Sequence, residues 1–418
     1  ALATMLAGHL DWERPGEAEL VRGHWRAPNI AAAPGLKAVD LFRAVSGGRI
    51  GALWIMATNP AVSMPDGSFV RDALRRAPFL AVSDCVAETD TAEFAHVRLP
   101  AVGWAEKDGT VTNSERRISR VRAAVPAPGQ ARDDWAIAAD FARRLERRLP
   151  PRRADGHTLF PYTDAESVWN EHRESTRGRD LDITGLSYAA LEAAPQQWPY
   201  PEGAASGRAR LYEDGRFATP DGRAVFAAPA FRPVAEPRDA RYPFALTTGR
   251  LRDQWHGMSR SGTLGRLFGH ASEPSIELHP QELARRGWRA GDLLRVQSRR
   301  GELLLPVQPS ESLAPAQAFV AMHWGQEFVS GHDAAGAALL GVNALMTPAR
   351  CPSSKQPELK HAAVRIEKAD LPRHLVAGAW LPGEAMQTLR EGLSALMPRW
   401  AYAHCVPFGR EPDGRVGL

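Results

Sequence analysis

The stretch IGALWIMATNP, Ile50–Pro60, is apolar on both faces through Ala57 and then breaks into Thr58-Asn59-Pro60. A strand with one wet face alternates apolar and polar residues, whereas an unbroken apolar run bounded by turn residues marks a strand buried on both sides of a parallel sheet. Upstream, Leu36, Val39, Phe42 and Val45 recur at helical spacing and predict a helix over Leu36–Val45, stopped by Gly47 and Gly48. Downstream, the pattern predicts a helix over Phe69–Arg76, strands over Phe79–Ser83 and His96–Leu99, and a basic amphipathic helix over Asp134–Leu149. Asp133 and Asp134 stand where cap and first-turn acids belong. Strands alternating with helices are the signature of parallel βαβ units, so residues 1–150 are read as an α/β parallel-sheet domain.

Residues 151–241 are rich in Pro, Gly, Arg and Asp, without a sustained period, and are read as a connecting region with local hairpins. From Tyr242 short strands return, over Phe244–Thr248, Ser275–Leu278, Leu293–Ser298, Glu302–Gln308, Gln317–His323 and Ala362–Glu367. Six short strands separated by turns predict a small β-barrel over 242–370, with a short helix opened by His279-Pro280 and a hairpin reversal at Arg300-Gly301. Residues 371–418 form a tail with one helix over Ala385–Leu396.

The 418 residues are 44% hydrophobic and 24% charged, the composition of an ordinary globular protein. A formal charge of +4, from 52 basic and 48 acidic residues, gives no reason to expect nucleic acid or an anionic membrane as partner. Cys85, Cys351 and Cys405 are too far apart to suggest a C-x-x-C metal pair or a disulfide framework, and a reducing compartment fits them best. Cys85 is expected as a buried strand-end thiol. No apolar run reaches the length of a membrane helix. The opening ALATMLAGHLDWERPG has neither a start methionine nor a leader pattern, and is expected to begin in mid-protein.

Several polar groups stand where ligands bind. Thr58-Asn59-Pro60 and Ser83-Asp84 end neighbouring strands, at the sheet edge where open α/β folds hold their ligands, although each alone could be a routine turn. The block WAEKDGTVTNSERR, Trp104–Arg117, is denser in polar groups than packing requires and contains Lys107. It could be a solvated loop or one that faces an anion. Asp134 is bland as a helix-start acid, yet its carboxylate could also accept both N–H donors of a guanine edge. In the barrel, Thr248-Gly249-Arg250 follows a strand directly, Gly249 allowing close approach and Arg250 offering a planar fork for phosphate. Trp255, His256 and Gly257 continue that loop, and Trp324, Asn343 and Lys360 are further isolated candidates. The glycine-rich dinucleotide fingerprint, the P-loop, H-E-x-x-H and G-x-S-x-G are all missing, so the chemistry is borrowed from a cofactor or lies elsewhere.

Four stretches carry a family resemblance: ALWIMATNPAVSMPD, LPAVGWAEKDGTVTNSERRISRVRAAVPAPGQARDDW, LTTGRLRDQWHGMSRSG and NALMTPARCPSSKQPELKHAAVRIEKADLP. Over roughly Ile50–Leu149 and Tyr242–Pro372 the chain resembles the prokaryotic molybdopterin oxidoreductases that carry two molybdopterin guanine dinucleotides. The SKQPELKHA segment and the tail resemble the assimilatory nitrate reductases more than the periplasmic ones or the formate dehydrogenases.

The resemblance implies an α/β core followed by a six-stranded double-psi-type barrel. It implies that Asn59, Ser83, Asp84, Lys107 and Asp134 bind one guanine dinucleotide. Thr248, Gly249, Arg250, Trp255, His256, Gly257, Trp324, Asn343 and Lys360 would close over both pterins. The implied cofactor is molybdenum bis-molybdopterin guanine dinucleotide, and the implied reaction is nitrate to nitrite in the cytoplasm, with electrons from a donor protein or reductase subunit. The family's 4Fe-4S cysteines and molybdenum ligand have no counterpart here, so no catalytic residue or metal ligand is assigned. Those groups are expected in N-terminal domains of the same polypeptide, and this portion alone is expected to be inactive. Formate oxidation on the same cofactor, or a non-catalytic relative in a respiratory complex, are the alternative readings.

Overall fold

The computed structural model describes residues 6–27, 29–151, 153, 155–333, 336–371 and 374–418. The first residues of the opening stretch, and Pro372 at the end of the last family motif, lie outside the described residues. Contacts divide the chain into two compact units. Unit 1 comprises the described parts of Ala1–Ala38, Ser83–Cys85 and Leu99–Phe231, and unit 2 those of Val39–Val82, Val86–Arg98 and Arg232–Leu418.

The first part of the chain runs α1 (Glu17–Trp25), α2 (Ala38–Ser46), β1 (Leu53–Met56), α3 (Pro60–Ser63), α4 (Gly67–Arg76), β2 (Leu80–Asp84) and β3 (Val97–Pro100). The three strands form a sheet in the order β1-β2-β3, with helices crossing over between β1 and β2 as in a parallel unit. Burial differs between the two strands: β2 is buried continuously from Leu80 to Ser83, whereas β1 alternates, Leu53 and Ile55 buried and Trp54 and Met56 half-buried, so the two-sided burial expected of Ile50–Ala57 is not realised. Phe42, Val45, Leu53, Ile55, Val70, Leu74, Leu80 and Val82 form one apolar cluster that includes both strands and both flanking helices. Strand β2 stops at Asp84, so Cys85 stands exposed, contrary to the buried position expected for it.

Unit 1 continues with β4 (Gly109–Thr112), β5 (Arg117–Val121), α5 (Asp134–Glu146), α6 (Ala165–Glu174), α7 (Tyr188–Ala193) and β6 (Gln196–Gln197). Strands β4, β5 and β6 pair antiparallel. The stretch read as hairpin-bearing contains two capped helices instead. Asp164 accepts from the Ser167 N–H at the start of α6, and Ser187 accepts from the Ala190 N–H at the start of α7. They are built around few large residues: Ile118, Trp169, Ile183, Leu186, Tyr188 and Leu191 form the cluster, and the Trp169 indole donates to Leu186 O at 2.8 Å.

In unit 2 the chain proceeds through β7 (Phe244–Gly249), β8 (Ile276–Leu278), α8 (Pro280–Arg286), β9 (Leu293–Gln297), β10 (Glu302–Pro309), β11 (Gln317–Ala321), β12 (Val329–Ser330) and β13 (Ala362–Lys368). Six of these strands close a barrel in the order β10-β8-β11-β7-β13-β9. The pairs β7·β11 and β8·β10 are parallel and the others antiparallel. Closure leaves no open edge and turns alternate side chains inward, so Phe244, Leu246, Ile276, Leu294, Val296, Val307, Val320 and Val364 fill the interior. The tail adds β14 (Trp380–Leu381), α9 (Gly383–Leu396), β15 (Ala403–His404) and β16 (Val416–Gly417).

Leu246 is fully buried in this interior. Leu246→Ala should therefore cost about 2–5 kcal/mol of stability. Denaturant unfolding measures this directly, and a midpoint equal to that of the parent would contradict the packing described.

Candidate functional site

The candidates of unit 1 gather at two element ends. Strand β2 terminates in buried Ser83 and then Asp84, whose carbonyl accepts the Ala101 N–H at 2.9 Å. Helix α5 begins at Asp134. Lys107 follows the turn Trp104–Glu106, with its Nζ 5.5 Å from the Trp104 ring centroid. Burial raises the Asp134 carboxyl above its ordinary range; the Lys107 cation opposes this and Asp84 reinforces it. A helix N-terminus ordinarily favours a carboxylate, and at Asp134 partial burial outweighs that preference. Asp134 Oδ1 and the Trp135 indole N–H are both buried without a hydrogen-bond partner among the described residues. An orphaned acceptor beside an orphaned donor, with an ammonium close by, suits a ligand that brings paired N–H donors and negative charge.

In unit 2 the four-residue helix α3 is the meeting point. Asn59 precedes it, and Asn59 Oδ1 accepts from the Thr91 hydroxyl at 2.6 Å while Thr91 Oγ1 accepts the Ala61 N–H at 3.1 Å. Asn343 Nδ2 donates to Val62 O at 2.9 Å. A Cβ at Gly257 would lie 3.8 Å from both Asn59 Nδ2 and Val62, and one at Gly325 would lie 3.1 Å from Val62. Asn59, Gly257 and Asn343, distant in sequence, therefore surround one turn of helix.

Loop 250–257 leaves the end of β7. At its base, Lys360 Nζ donates to Thr248 O at 3.1 Å, and the Thr248 hydroxyl donates to Leu359 O at 2.7 Å. Gly249 is required sterically, because a Cβ there would come 2.7 Å from the Phe319 ring. His323, fully buried, pins the loop: its Nε2 accepts the Leu251 N–H at 2.8 Å and its Nδ1 donates to His256 O at 2.5 Å. Burial chiefly holds this imidazole below the usual histidine range, so it serves as a neutral strut. His256 and Met258 adopt left-handed backbone angles, φ +46° and +61°, an uncommon state for residues with side chains. Arg250, Trp255 and His256 stand exposed along the loop. Burial, then the Arg250 and Arg260 charges, lower the His256 pKa.

Trp324 sits in the apolar cluster of the barrel, 2% exposed, with ring centroids 6.2 Å from Phe268 and 6.4 Å from Phe328. His323, Thr91 and Gly325 were not singled out from sequence. Each supports a candidate rather than standing in a motif, and only the adjacency of His323 to Trp324 could have signalled it. Among the described residues no three His, Cys, Asp or Glu side chains come together as a metal site. No helix among them is long and apolar enough to cross a membrane.

Residues 5–144 match the family described as molybdopterin oxidoreductase, and residues 244–363 match the molybdopterin dinucleotide-binding domain. The chain belongs to the molybdopterin oxidoreductase family. Among its relatives in that family, a nitrate reductase of Klebsiella oxytoca is 40% identical over 87% of this chain and 40% of its own length. The assimilatory nitrate reductase catalytic subunit of Bacillus subtilis is 34% identical over 79% of this chain and 44% of its own. An F420-dependent formate dehydrogenase subunit alpha of Methanocaldococcus jannaschii is 36% identical over 77% and 44%. The chain thus spans less than half the length of these relatives. Acetylene hydratase from Pelobacter acetylenicus shares the fold, with a TM-score of 0.59 at 16% identity over 81% of this chain and 47% of that one.

Near α3 in unit 2 lies a network of charges centred on buried Arg71 and Asp90, with Glu93 exposed at its edge. Arg71 Nη1 meets Asp90 at 3.2 Å, and Arg71 Nη2 meets Glu93 at 3.0 Å and Gln326 Oε1 at 2.6 Å. Arg390 of α9 pairs with Glu327 at 2.8 Å. Burial pushes the Glu327 carboxyl up to about 7, outweighing the pull of Arg390. A carboxyl raised in the fold holds its proton more tightly folded than unfolded, so stability falls as pH rises from the unfolded value of 4.5 through about 7. His256 and His323, both held below their ordinary range, contribute with the opposite sign, so the Glu327 contribution is read as a difference: the stability of the parent relative to Glu327→Gln should fall between pH 4.5 and about 7. A parent-minus-variant difference that is flat or rises with pH over that interval would contradict the assignment.

Proposed function

We propose that this chain forms part of the cradle for a bis-molybdopterin guanine dinucleotide cofactor in a nitrate reductase that converts nitrate to nitrite. The observation that carries the reading is the buried, unpartnered carboxylate oxygen of Asp134 beside Lys107 and Asp84. The family match supports the cofactor class, and the nitrate reductases among the relatives support the substrate.

When bound, the cofactor supplies the redox and oxygen-accepting chemistry, and the residues of this chain hold it. In unit 1, Asp134 would accept guanine N–H donors, while Lys107 supplies a cation and Ser83 and Asp84 supply polar groups at the strand end. In unit 2, Asn59, Gly257 and Asn343 would meet the ligand around α3. Loop 250–257, kept in place by His323, Thr248 and Lys360, would bring Arg250, Trp255 and His256 over it, with Gly249 allowing the chain to pass and Trp324 fixing the barrel beneath. The iron-sulfur cluster, molybdenum ligand, electron donor, cytoplasmic setting and inactivity of this portion alone belong to the same proposal. Formate is the second reading, favoured by the formate dehydrogenase relatives.

In the full-length enzyme, Asp134→Ala should lower the guanine dinucleotide retained on purification, with a loss of about 1.5–3 kcal/mol in binding for a charged acceptor. Nucleotide content equal to that of the parent would count against the guanine assignment. Turnover of nitrate but not formate by the parent enzyme would support the first substrate reading, and the reverse would overturn it.

A further inference from the structure

The tail after the barrel carries no residue assigned to the cradle and lies beyond the matched barrel residues 244–363. Its helix α9 nevertheless sends Arg390, 3% exposed, into the interior of unit 2. Arg390 Nη2 donates to Glu327 Oε1 at 2.8 Å and Nη1 donates to Gly262 O at 3.5 Å. The guanidinium carbon stands 5.0 Å from the Phe328 ring centroid. One turn further along α9, the Ser394 hydroxyl donates to Glu327 O at 3.1 Å, and the Cys405 N–H of the tail donates to Phe328 O at 3.0 Å. The tail therefore grips the segment that directly follows His323 and Trp324.

That segment and the tail also fit closely against the far end of the loop that carries Trp255 and His256. A Cβ at Gly262 would lie 2.3 Å from the Phe328 ring, and one at Gly265 would lie 2.3 Å from Gly409 O and 3.1 Å from Val416. The Gly262 N–H donates to Met258 O at 2.8 Å, and Met258 is fully buried in its left-handed conformation. Beside Gly262, the Ser261 hydroxyl donates to Gln254 Oε1 at 2.8 Å and accepts the Trp255 N–H at 3.1 Å. The loop is thus held twice: His323 fixes it at Leu251 and His256, and Arg390 fixes it at Gly262. A backbone that keeps left-handed residues with side chains needs such restraint from its surroundings. A guanidinium can supply it because its planar fork reaches a carboxylate and a carbonyl at once.

We propose that Arg390 is a positioning residue for the cofactor: by joining Gly262 O to Glu327 and the Phe328 face, it keeps Trp255 and His256 in place over the ligand. The tail is then a working part of the cradle. The benefit to the cofactor rests on the cradle reading above, whereas the clamp on the loop does not.

Hydrogen exchange on the full-length enzyme, with retained guanine nucleotide counted in the same samples, tests this. Arg390→Gln should speed exchange of the Met258 and Gly262 amides about tenfold, while the amides of β7 and β11 keep the parent rate. Arg390→Lys keeps a cation for Glu327 but lacks the second arm for Gly262 O. It should loosen the same two amides with the barrel unchanged, and it carries the test should the glutamine variant fail to fold. In both variants nucleotide retained after dialysis should fall. Unchanged exchange at Met258 and Gly262, or acceleration spread equally over β7 and β11, would overturn the proposal and leave the cradle reading standing. Faster loop exchange with nucleotide retained as in the parent would overturn the positioning role together with the loop's place in the cradle.

Discussion

The seating of α3 constrains unit 2. Pro60–Ser63 is one turn of helix following β1, and its close approach to Gly325 depends on the missing side chain there, since a Cβ would lie 3.1 Å from Val62 and 3.0 Å from Asp90 Oδ2. The Asn343 amide then closes on Val62 O at 2.9 Å, supplying a donor to a carbonyl that burial would otherwise leave costly. A Cβ at Gly257 would make ordinary contact with Val62 at 3.8 Å, so the tight constraint lies at Gly325. From this contact follow the positions of Asn59, of loop 250–257 and of the Asn343 turn.

The barrel supplies the rigidity that the loops lack. Its closed hydrogen-bond ladder and filled interior fix the ends of β7 and β11, and His323 transmits that fixity to loop 250–257 through two hydrogen bonds to its backbone. The left-handed residues His256 and Met258 are the local strain that such anchoring sustains. Unit 1 works by another device: among the described residues, Asp134 Oδ1 and the Trp135 indole N–H are buried without a hydrogen-bond partner, so a ligand that satisfies them would gain free energy the protein alone does not recover.

Periodicity made the α/β segment and the barrel legible. Both depend on long apolar patterns, and Ile50–Ala57 or Leu293–Ser298 announce themselves without context. Helices α6 and α7 were not legible, because their burial rests on isolated large residues, Trp169, Tyr188 and Leu191, set among polar neighbours and proline. Strand ends were read slightly long: β11 stops at Ala321, before His323 turns to hold loop 250–257. Cys85 was misplaced for a related reason, since a single residue past the strand end exchanges burial for exposure. Among the proposed site residues, the sequence pointed to groups that stand in dense polar motifs, including Asp134, Lys107 and loop 250–257. It passed over Thr91 and His323, whose importance arises only from contacts across long sequence separations.

The central claim is that this chain holds guanine dinucleotide. Acid hydrolysis of the purified full-length protein, with released nucleotide identified and counted against molybdenum, tests it most directly. The account predicts GMP at two per molybdenum. Protein that retains molybdenum but releases no nucleotide, or releases one with a different base, would contradict it.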